Sequence, residues 1–306
     1  MIRILVRRLL LGVFTVGCIY TLTFLLVIAL PGNPLQQGER NMPRAVEQAL
    51  RVRYNMDDNW LYFWQFLGGA VRLDFGPSYT YLDWTCNQII AEALPVSVTL
   101  GLTAMLIAAT FGVAAGVLSA VRRRGALDAT VMALTLLGVS LPTFVTGSVL
   151  LTVFAVWWRM VPVGGWGTPA HLVLPALTLS LPFMAYITRL TRVGMLDVLG
   201  SDFIRTAVAK GLSSRAVITR HALPAALLPV LSYLGPATAQ ALTGSFVVEK
   251  VFGVPGLGQH FVNAALNRDA GLVLSTVFVF STLLVAMNIV VDLLYAWLDP
   301  RIAEAA

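Results

Sequence analysis

Charge is what this chain has least of. Only 12% of its 306 residues are Asp, Glu, Lys or Arg, whereas 58% are hydrophobic. Soluble domains carry about 25% charged residues, and a mean hydropathy of +0.79 exceeds what such a domain can bury. The composition therefore excludes a soluble domain and predicts an all-α membrane protein.

Signatures of catalysis and cofactor binding are missing as well. No G-x-x-x-x-G-K-[ST] phosphate loop occurs, and Lys210-Gly211 has the wrong order for one. The three histidines, His171, His221 and His260, fall in separate segments, so no His/Cys pair has metal-ligand spacing. No nucleophile-elbow pattern supports a Ser/His/Asp site. We expect no enzyme activity and no bound cofactor or metal in this chain.

Cysteine is too rare for a disulfide framework. Cys18 lies in the first apolar run and Cys86 in the polar region that follows, so the two are not expected to meet. The sequence "TVGC" ending at Cys18 imitates a lipoprotein cleavage box. The apolar run continues to Leu30, however, which favours an uncleaved first span over a signal peptide.

Long apolar runs are what the chain does have. A bilayer core about 30 Å thick needs roughly 20 apolar residues per helix. Candidate spans lie at about 9–30, 96–121, 129–157, 172–195, 226–248 and 271–297. Their interiors are uncharged, with 172–188 and 271–291 as the uncharged parts of the fourth and sixth. Since intramembrane charges mark proton relays and ion-coupled pathways, the energy for any transport is expected to come from elsewhere.

The short loops predict the orientation. Three arginines, Arg3, Arg7 and Arg8, precede the first run, and three more, "RRR" at 122–124, follow the second. The short loop after the third run has a single basic residue, Arg159. Basic short loops stay in the cytoplasm, so both termini are predicted to be cytoplasmic. The net charge of +6 is thus explained by topology, and no nucleic acid partner is expected.

The predicted outer loop, 31–95, contains a run of aromatic residues at 60–66. Aromatic residues beside a membrane are typical of an interfacial belt, and a docking surface for a partner is the alternative. In the spans, Gly112 and Gly116 have the spacing that lets helices approach closely, and Pro142 is expected to kink the third span.

The segment 201–229 is unusually basic for this chain. Ser201 is a predicted N-cap, and Gly211 suits the left-handed residue that ends a helix. Ser213 is predicted to cap a second helix that runs to about Ala222 and stops before Pro224.

Two interpretations of this segment stay open on local signals alone. A basic amphipathic segment can lie on anionic lipid headgroups. Alternatively, it can present an apolar stripe of Phe203, Ala207 and Val208 to the groove of a cytoplasmic protein.

The sequence "RTAVAKGLSSRAVITRHALPAALLP" resembles the cytoplasmic loop of ABC-importer permeases, whose general pattern is E-A-A-x3-G-x9-I-x-L-P. Ala207, Gly211 and the pair Leu223-Pro224 match this pattern. Arg205, Thr206 and His221 depart from it, the first two in the manner of the peptide branch. Further resemblance comes from "LPGNP", "YNMDD", "LDFGPSY", "LPVSVTLGL", "RHALPAALLPVLSYLGP", "VVEKVFGVPGLGQHFVNAALNRD" and "VVDLLYAWLDPRI". These segments follow one another in the order that they have in the oligopeptide, dipeptide and nickel permeases. The chain resembles the oligopeptide members most.

The resemblance implies six spans, with a coupling loop at 196–225 that fits a cleft in an ATPase subunit. The implied coupling residues are Arg205, Thr206, Ala207, Lys210, Gly211, Leu212, Arg215, His221, Leu223 and Pro224. An outer gate segment is implied at Gly253, Pro255, Gly256 and Gly258.

The resemblance also implies the partners and the location. These are a homologous second permease, two cytoplasmic ATPases that bind ATP and Mg, an extracytoplasmic binding protein, a peptide substrate and the lipid of a bacterial inner membrane. Cargo of dipeptides, glutathione or nickel is the nearest alternative. A self-sufficient channel, a secondary transporter, or a scaffold that only anchors an ATPase are alternatives of other classes.

Overall fold

The computed structural model describes residues 2–29, 48, 58–81, 83–243 and 245–298. Its helices are α1 Ile2–Ala29, α2 Asn59–Val71, α3 Cys86–Val121, α4 Ala126–Ser140, α5 Thr143–Leu150, α6 Pro169–Leu199, α7 Asp202–Ala209, α8 Ser214–Ala226, α9 Leu228–Thr243, α10 Phe246–Phe252, α11 Leu257–Leu266 and α12 Ala270–Leu298. A π-helical turn, Leu151–Trp157, extends α5. Within the described residues, β-structure is limited to an isolated bridge between Pro77 and Thr85. The predicted all-α class is confirmed for these residues.

Four helical stretches are long and apolar enough to cross a membrane: Val6–Ala29, Cys86–Val121, Pro169–Leu199 and Ala270–Val291. Two further candidates are bent pairs. The pair Ala126–Ser140 and Thr143–Trp157 turns by 110°, and the pair Ser214–Ala226 and Leu228–Thr243 by 53°. The described chain thus holds four to six candidate spans, and the count of six stays a prediction.

Pro142 causes the sharper bend, as predicted. Leu141, the residue before it, has ψ of 130°, because the proline ring disfavours helical backbone at the preceding position. The predicted third span, 129–157, is therefore two helical arms at a steep angle.

Helix α3 begins at Cys86, inside the stretch predicted as outer loop. Its start is a capping box: the Gln88 N–H donates to Thr85 Oγ1 at 3.2 Å, and the Thr85 N–H donates to Gln88 Oε1 at 2.9 Å. This reciprocal pair satisfies two orphan donors at the helix end. The helix then continues through Pro95 without ending.

The chain forms two compact units. The first comprises the described parts of Met1–Val98 and Val254–Ile289. Its core is aromatic: the Phe63 ring packs against Tyr20 at 4.9 Å and Phe24 at 5.0 Å between centroids, and Phe66 is buried. Part of the aromatic run 60–66 therefore belongs to the core, whereas Trp60 and Trp64 remain exposed.

Asp269 organises the polar part of the first unit. This fully buried carboxylate accepts from Ser78 Oγ at 2.6 Å and from the N–H groups of Tyr79 and Thr80 at 2.8 and 2.9 Å. Its other oxygen accepts from the Leu272 N–H at 2.9 Å. One side chain thus ties the segment before α3 to the N-terminus of α12, where a negative charge is favourable.

The second unit comprises the described parts of Thr99–Gly253 and Val290–Ala306. The predicted close packing at Gly112 and Gly116 is confirmed here. A Cβ at Gly112 would lie 3.0 Å from the Met184 carbonyl oxygen, and one at Gly116 would lie 2.7 Å from that of Thr188. Helices α3 and α6 approach each other through backbone, which only glycine permits at these positions.

This close approach predicts that Gly116→Ala lowers the thermal unfolding temperature of the purified protein. The added methyl group overpacks the interface, at a cost of about 1–3 kcal/mol. Gly17→Ala is the matched control in another helix, because a Cβ there meets nothing within 4 Å. Equal unfolding temperatures for the two variants would contradict the packing described here.

The Gly211 loop, a candidate docking site

The first helix of the basic segment ends as predicted. Gly211 has φ of +79°, in the left-handed region. Its N–H donates to the Val208 carbonyl at 2.9 Å, and the Leu212 N–H donates to the Ala207 carbonyl at 3.3 Å. These two bonds form a Schellman motif, which satisfies carbonyls at the end of α7. Gly211 therefore fixes the turn between α7 and α8, and we call 202–226 the Gly211 loop.

The second helix begins as predicted but ends later. Ser213 Oγ accepts from the Ala216 N–H at 3.4 Å and caps α8. The prediction that Pro224 marks its boundary is wrong, because α8 runs through Pro224 to Ala226. A π-helical turn, Val217–Ala222, ends two residues before the proline, and the Leu223 N–H donates to the Ile218 carbonyl in the wider π pattern. The chain bends afterwards, at Leu227.

One side of the Gly211 loop is anchored to its own unit by a small apolar core. Its buried members are Ala120, Met195, Ile204, Ala207, Val217, Ala222 and Ala226. The contact is close at Gly194 on α6, where an added Cβ would lie 2.6 Å from the Ala226 carbonyl oxygen. The loop is therefore packed against the ends of α3 and α6.

The predicted apolar stripe of α7 does not exist as one surface. Ala207 is buried in the core of the unit, whereas Phe203 and Val208 are 50% and 59% exposed. Helical positions 204 and 207 share the buried face, and 203 and 208 lie to either side of it. The exposed apolar groups are therefore Phe203, Val208 and Leu212.

Most of the predicted coupling residues are exposed. These are Arg205, Thr206, Lys210, Gly211, Leu212, Arg215, His221 and Pro224, whereas Leu223 is half-buried. Arg205 forms an exposed ion pair with Asp202 at 3.3 Å. Such pairs contribute little to stability, so the basic side chains remain available to a partner.

A groove of about 450 Å³ runs beside the loop. Its lining is mainly apolar and includes Leu196, Leu199, Ile204, Val208, Leu212 and Ile218, with Arg123 beside them. The structure thus brings exposed apolar groups, basic side chains and a concave surface together at the Gly211 loop.

A charge network that the sequence did not predict lies in the same unit. Arg192 Nε and Nη2 donate to the two carboxylate oxygens of Asp128, each at 2.8 Å. Asp128 also accepts from Ser119 Oγ and from the Arg124 N–H, the latter at 3.0 Å. The carboxylate therefore joins the end of α3, the turn after it, the start of α4 and helix α6. Asp128 follows the basic run at 122–124 closely, and no local sequence pattern predicts that its partner is Arg192 in another predicted span.

The predicted gate residues lie in and beside the turn between α10 and α11. Gly253, with φ of +60°, ends α10, and Gly256 precedes α11. Gly256 and Gly258 are buried, whereas Pro255 is exposed. Ser97 Oγ accepts from the Leu257 N–H at 2.8 Å, which fixes the start of α11 to α3 within the first unit. A role as an outer gate stays a prediction.

Comparison with known proteins assigns the family. The family described as binding-protein-dependent transport system inner membrane component matches residues 112–304. The chain belongs to this family. Similar proteins include the oligopeptide transport system permease protein OppB of Salmonella typhimurium, 43% identical over 305 residues, which are 99% of each chain. Another is the dipeptide transport system permease protein DppB of Bacillus subtilis, 42% identical over 303 residues, 99% of this chain and 98% of the relative.

A solved structure has the same fold. An inward-facing MetNI methionine ABC transporter chain matches with a TM-score of 0.56 and 18% identity. The match covers 69% of this chain and 97% of that one. The match shows that this part of the chain has the fold of that transporter chain.

The Asp128–Arg192 network predicts coupled effects on stability. We expect Asp128→Ala and Arg192→Ala each to lower the unfolding temperature, because each leaves a charge without its bidentate partner. The double variant should lose much less than the sum of the two. Arg205→Ala, which breaks an exposed pair, is the control and should change little. Additive losses in the double variant would contradict the pairing.

Proposed function

We propose that this chain is the membrane-spanning permease subunit of an ATP-driven ABC importer for oligopeptides. The observation that carries the proposal is 43% identity over 305 residues to an oligopeptide permease, with coverage of both chains end to end. In this proposal the chain lies in a bacterial inner membrane with both termini in the cytoplasm. It forms half of the substrate path together with a homologous second permease.

The proposed mechanism is mechanical and uses the Gly211 loop. Two ATPase subunits bind ATP and Mg, close on each other and displace the loop, while an extracytoplasmic binding protein delivers peptide. Phe203, Val208 and Leu212 supply apolar contact, and Arg205, Lys210 and Arg215 set the register. Since Gly194 lies against Ala226, a displaced loop carries α6 with it. Alternation between outward-facing and inward-facing states follows from this motion.

Dipeptide import is the second candidate, because a dipeptide permease is 42% identical over nearly the whole chain. Uptake of labelled peptides of two to five residues into proteoliposomes that hold the complete complex separates the two cargoes. We expect ATP-dependent uptake, and faster uptake of the longer peptides.

The chain reconstituted alone tests the rival class. A permease subunit that depends on ATPase partners gives no uptake by itself. Uptake by the chain alone would instead identify a channel or secondary transporter.

Substitutions at Gly211 test the coupling role. Pro cannot adopt a positive φ and lacks the N–H that bonds to Val208, so Gly211→Pro should abolish substrate-stimulated ATP hydrolysis by the assembled complex. Asn tolerates left-handed backbone, so Gly211→Asn should retain most of the stimulation. Val strains this conformation by about 1–2 kcal/mol, so Gly211→Val should lie between them.

Assembly of the complex serves as the control, because a Cβ at Gly211 meets nothing within 4 Å and the position is exposed. Full stimulation in the proline variant would refute the coupling role of the loop.

A further inference from the structure

Helix α9, Leu228–Thr243, has an exposed face unlike that of α3. On α3, the exposed residues include Leu102, Leu106 and Phe111, as expected for contact with lipid tails. Leu228, the first residue of α9, is 49% exposed, but from Pro229 to Thr243, all of which the structure describes, no large apolar side chain is exposed. The exposed positions of this stretch are instead polar or small.

Three residues form this face. Ser232, Pro236 and Gln240 recur at four-residue spacing, which places them on one side of the helix, and all three are exposed. We call them the α9 stripe. Pro236 has no N–H, so the Ser232 carbonyl lacks its usual helical donor. No hydrogen bond to the Gln240 amide is found among the described residues. The Gln240 amide therefore has no partner among the described residues, and the Ser232 carbonyl lacks the N–H that a helix normally supplies.

An aromatic pair flanks the stripe. The rings of Tyr233, on α9, and Tyr186, on α6, lie 4.3 Å apart between centroids, and Tyr186 is exposed. Arg189 lies one turn beyond Tyr186 and is also exposed. The ion pairs of the described residues join other groups, so the Arg189 guanidinium is open to an anionic ligand.

Lipid tails are a poor environment for this surface. Hydrocarbon offers no partner to an amide or a carbonyl, and irregular polar backbone at membrane depth is tolerated where it lines a water-filled cavity. A face within a candidate span that exposes Gln240 and Ser232, whose carbonyl lacks its helical donor, is thus expected to border water or a polar ligand.

We propose that the α9 stripe lines the substrate path and binds an extended peptide through its main chain. The Gln240 amide and the Ser232 carbonyl pair with peptide C=O and N–H groups, which every peptide carries whatever its sequence. The Tyr186–Tyr233 pair offers a flat surface for apolar side chains. Arg189 has the charge that attracts the terminal carboxylate. This inference rests on the proposed function and assigns residues to its path.

Cysteine accessibility in the complete complex tests the proposal. In a Cys18→Ala background, Ser232→Cys and Gln240→Cys are treated in membranes with a charged methanethiosulfonate reagent, which reacts with thiols in water. The native Cys86 is fully buried and serves as an internal blank. Leu106→Cys is the matched control, because Leu106 is 68% exposed on the apolar face of α3.

We expect the cysteines at positions 232 and 240 to react with the reagent and the cysteine at position 106 not to react. Peptide that is being imported should slow the modification of the two stripe cysteines. Stripe cysteines that stay unmodified would overturn the proposal and indicate contact with lipid or with the second permease. Modification at a rate that peptide leaves unchanged would also overturn it, since the stripe would then border water without binding substrate.

Transport by Gln240 variants provides the second arm. With saturating loaded binding protein, Gln240→Leu should lower the maximal import rate about threefold to tenfold, the loss expected for one hydrogen bond. Gln240→Asn keeps the amide and should recover part of the rate. Equal rates for Leu and Gln at position 240 would count against the proposal.

The wild-type complex separates this failure from that of the proposed function. If wild-type protein imports no peptide in the same assay, the proposed function fails. If wild-type import is normal and the stripe cysteines do not react, the proposal for the α9 stripe is overturned and the proposed function stands.

Discussion

Helix α6, Pro169–Leu199, depends on backbone-to-backbone packing at glycines. The neighbouring helices contact α6 at glycines, which are Gly112 and Gly116 on α3 and Gly138 on α4. At Gly194 the glycine lies on α6 itself, against the Ala226 carbonyl. Because lipid tails are as apolar as leucine, close packing rather than hydrophobic exclusion holds such helices together. The second unit is organised around this constraint.

The same constraint joins the Gly211 loop to the rest of its unit. Ala226, at the end of the loop, cannot move far without α6, and Met195 on α6 is part of the core beneath the loop. Three residues before Met195, Arg192 binds Asp128 and so links α6 to α4. In the proposed mechanism, a force applied to the exposed face of the loop reaches two candidate spans through these contacts.

Local signals predicted the local features. Gly211 and Ser213 carry the turn between α7 and α8, and Pro142 breaks the third predicted span, because each acts on its own backbone. The capping box at Thr85 and Gln88 is also a local signal, and it starts α3 at Cys86, before the predicted span 96–121.

Long-range pairings had no such signal. Asp128 and Arg192 are 64 residues apart, and Asp269 and Ser78 are 191 apart, so only the fold brings them together. The extension of α8 through Pro224 depends on a π-helical turn that propensities do not announce. The division of α7 into buried Ala207 and exposed Phe203 likewise follows from what the helix packs against.

Photo-cross-linking from the Gly211 loop tests the central claim most directly. Benzoylphenylalanine in place of Phe203 is compared with the same replacement of Phe111, a phenylalanine exposed on α3. In membranes that contain the assembled complex, the account predicts a covalent adduct with the ATPase subunit from position 203 and none from position 111. Absence of an ATPase adduct at 203, with adducts to lipid alone, would contradict it.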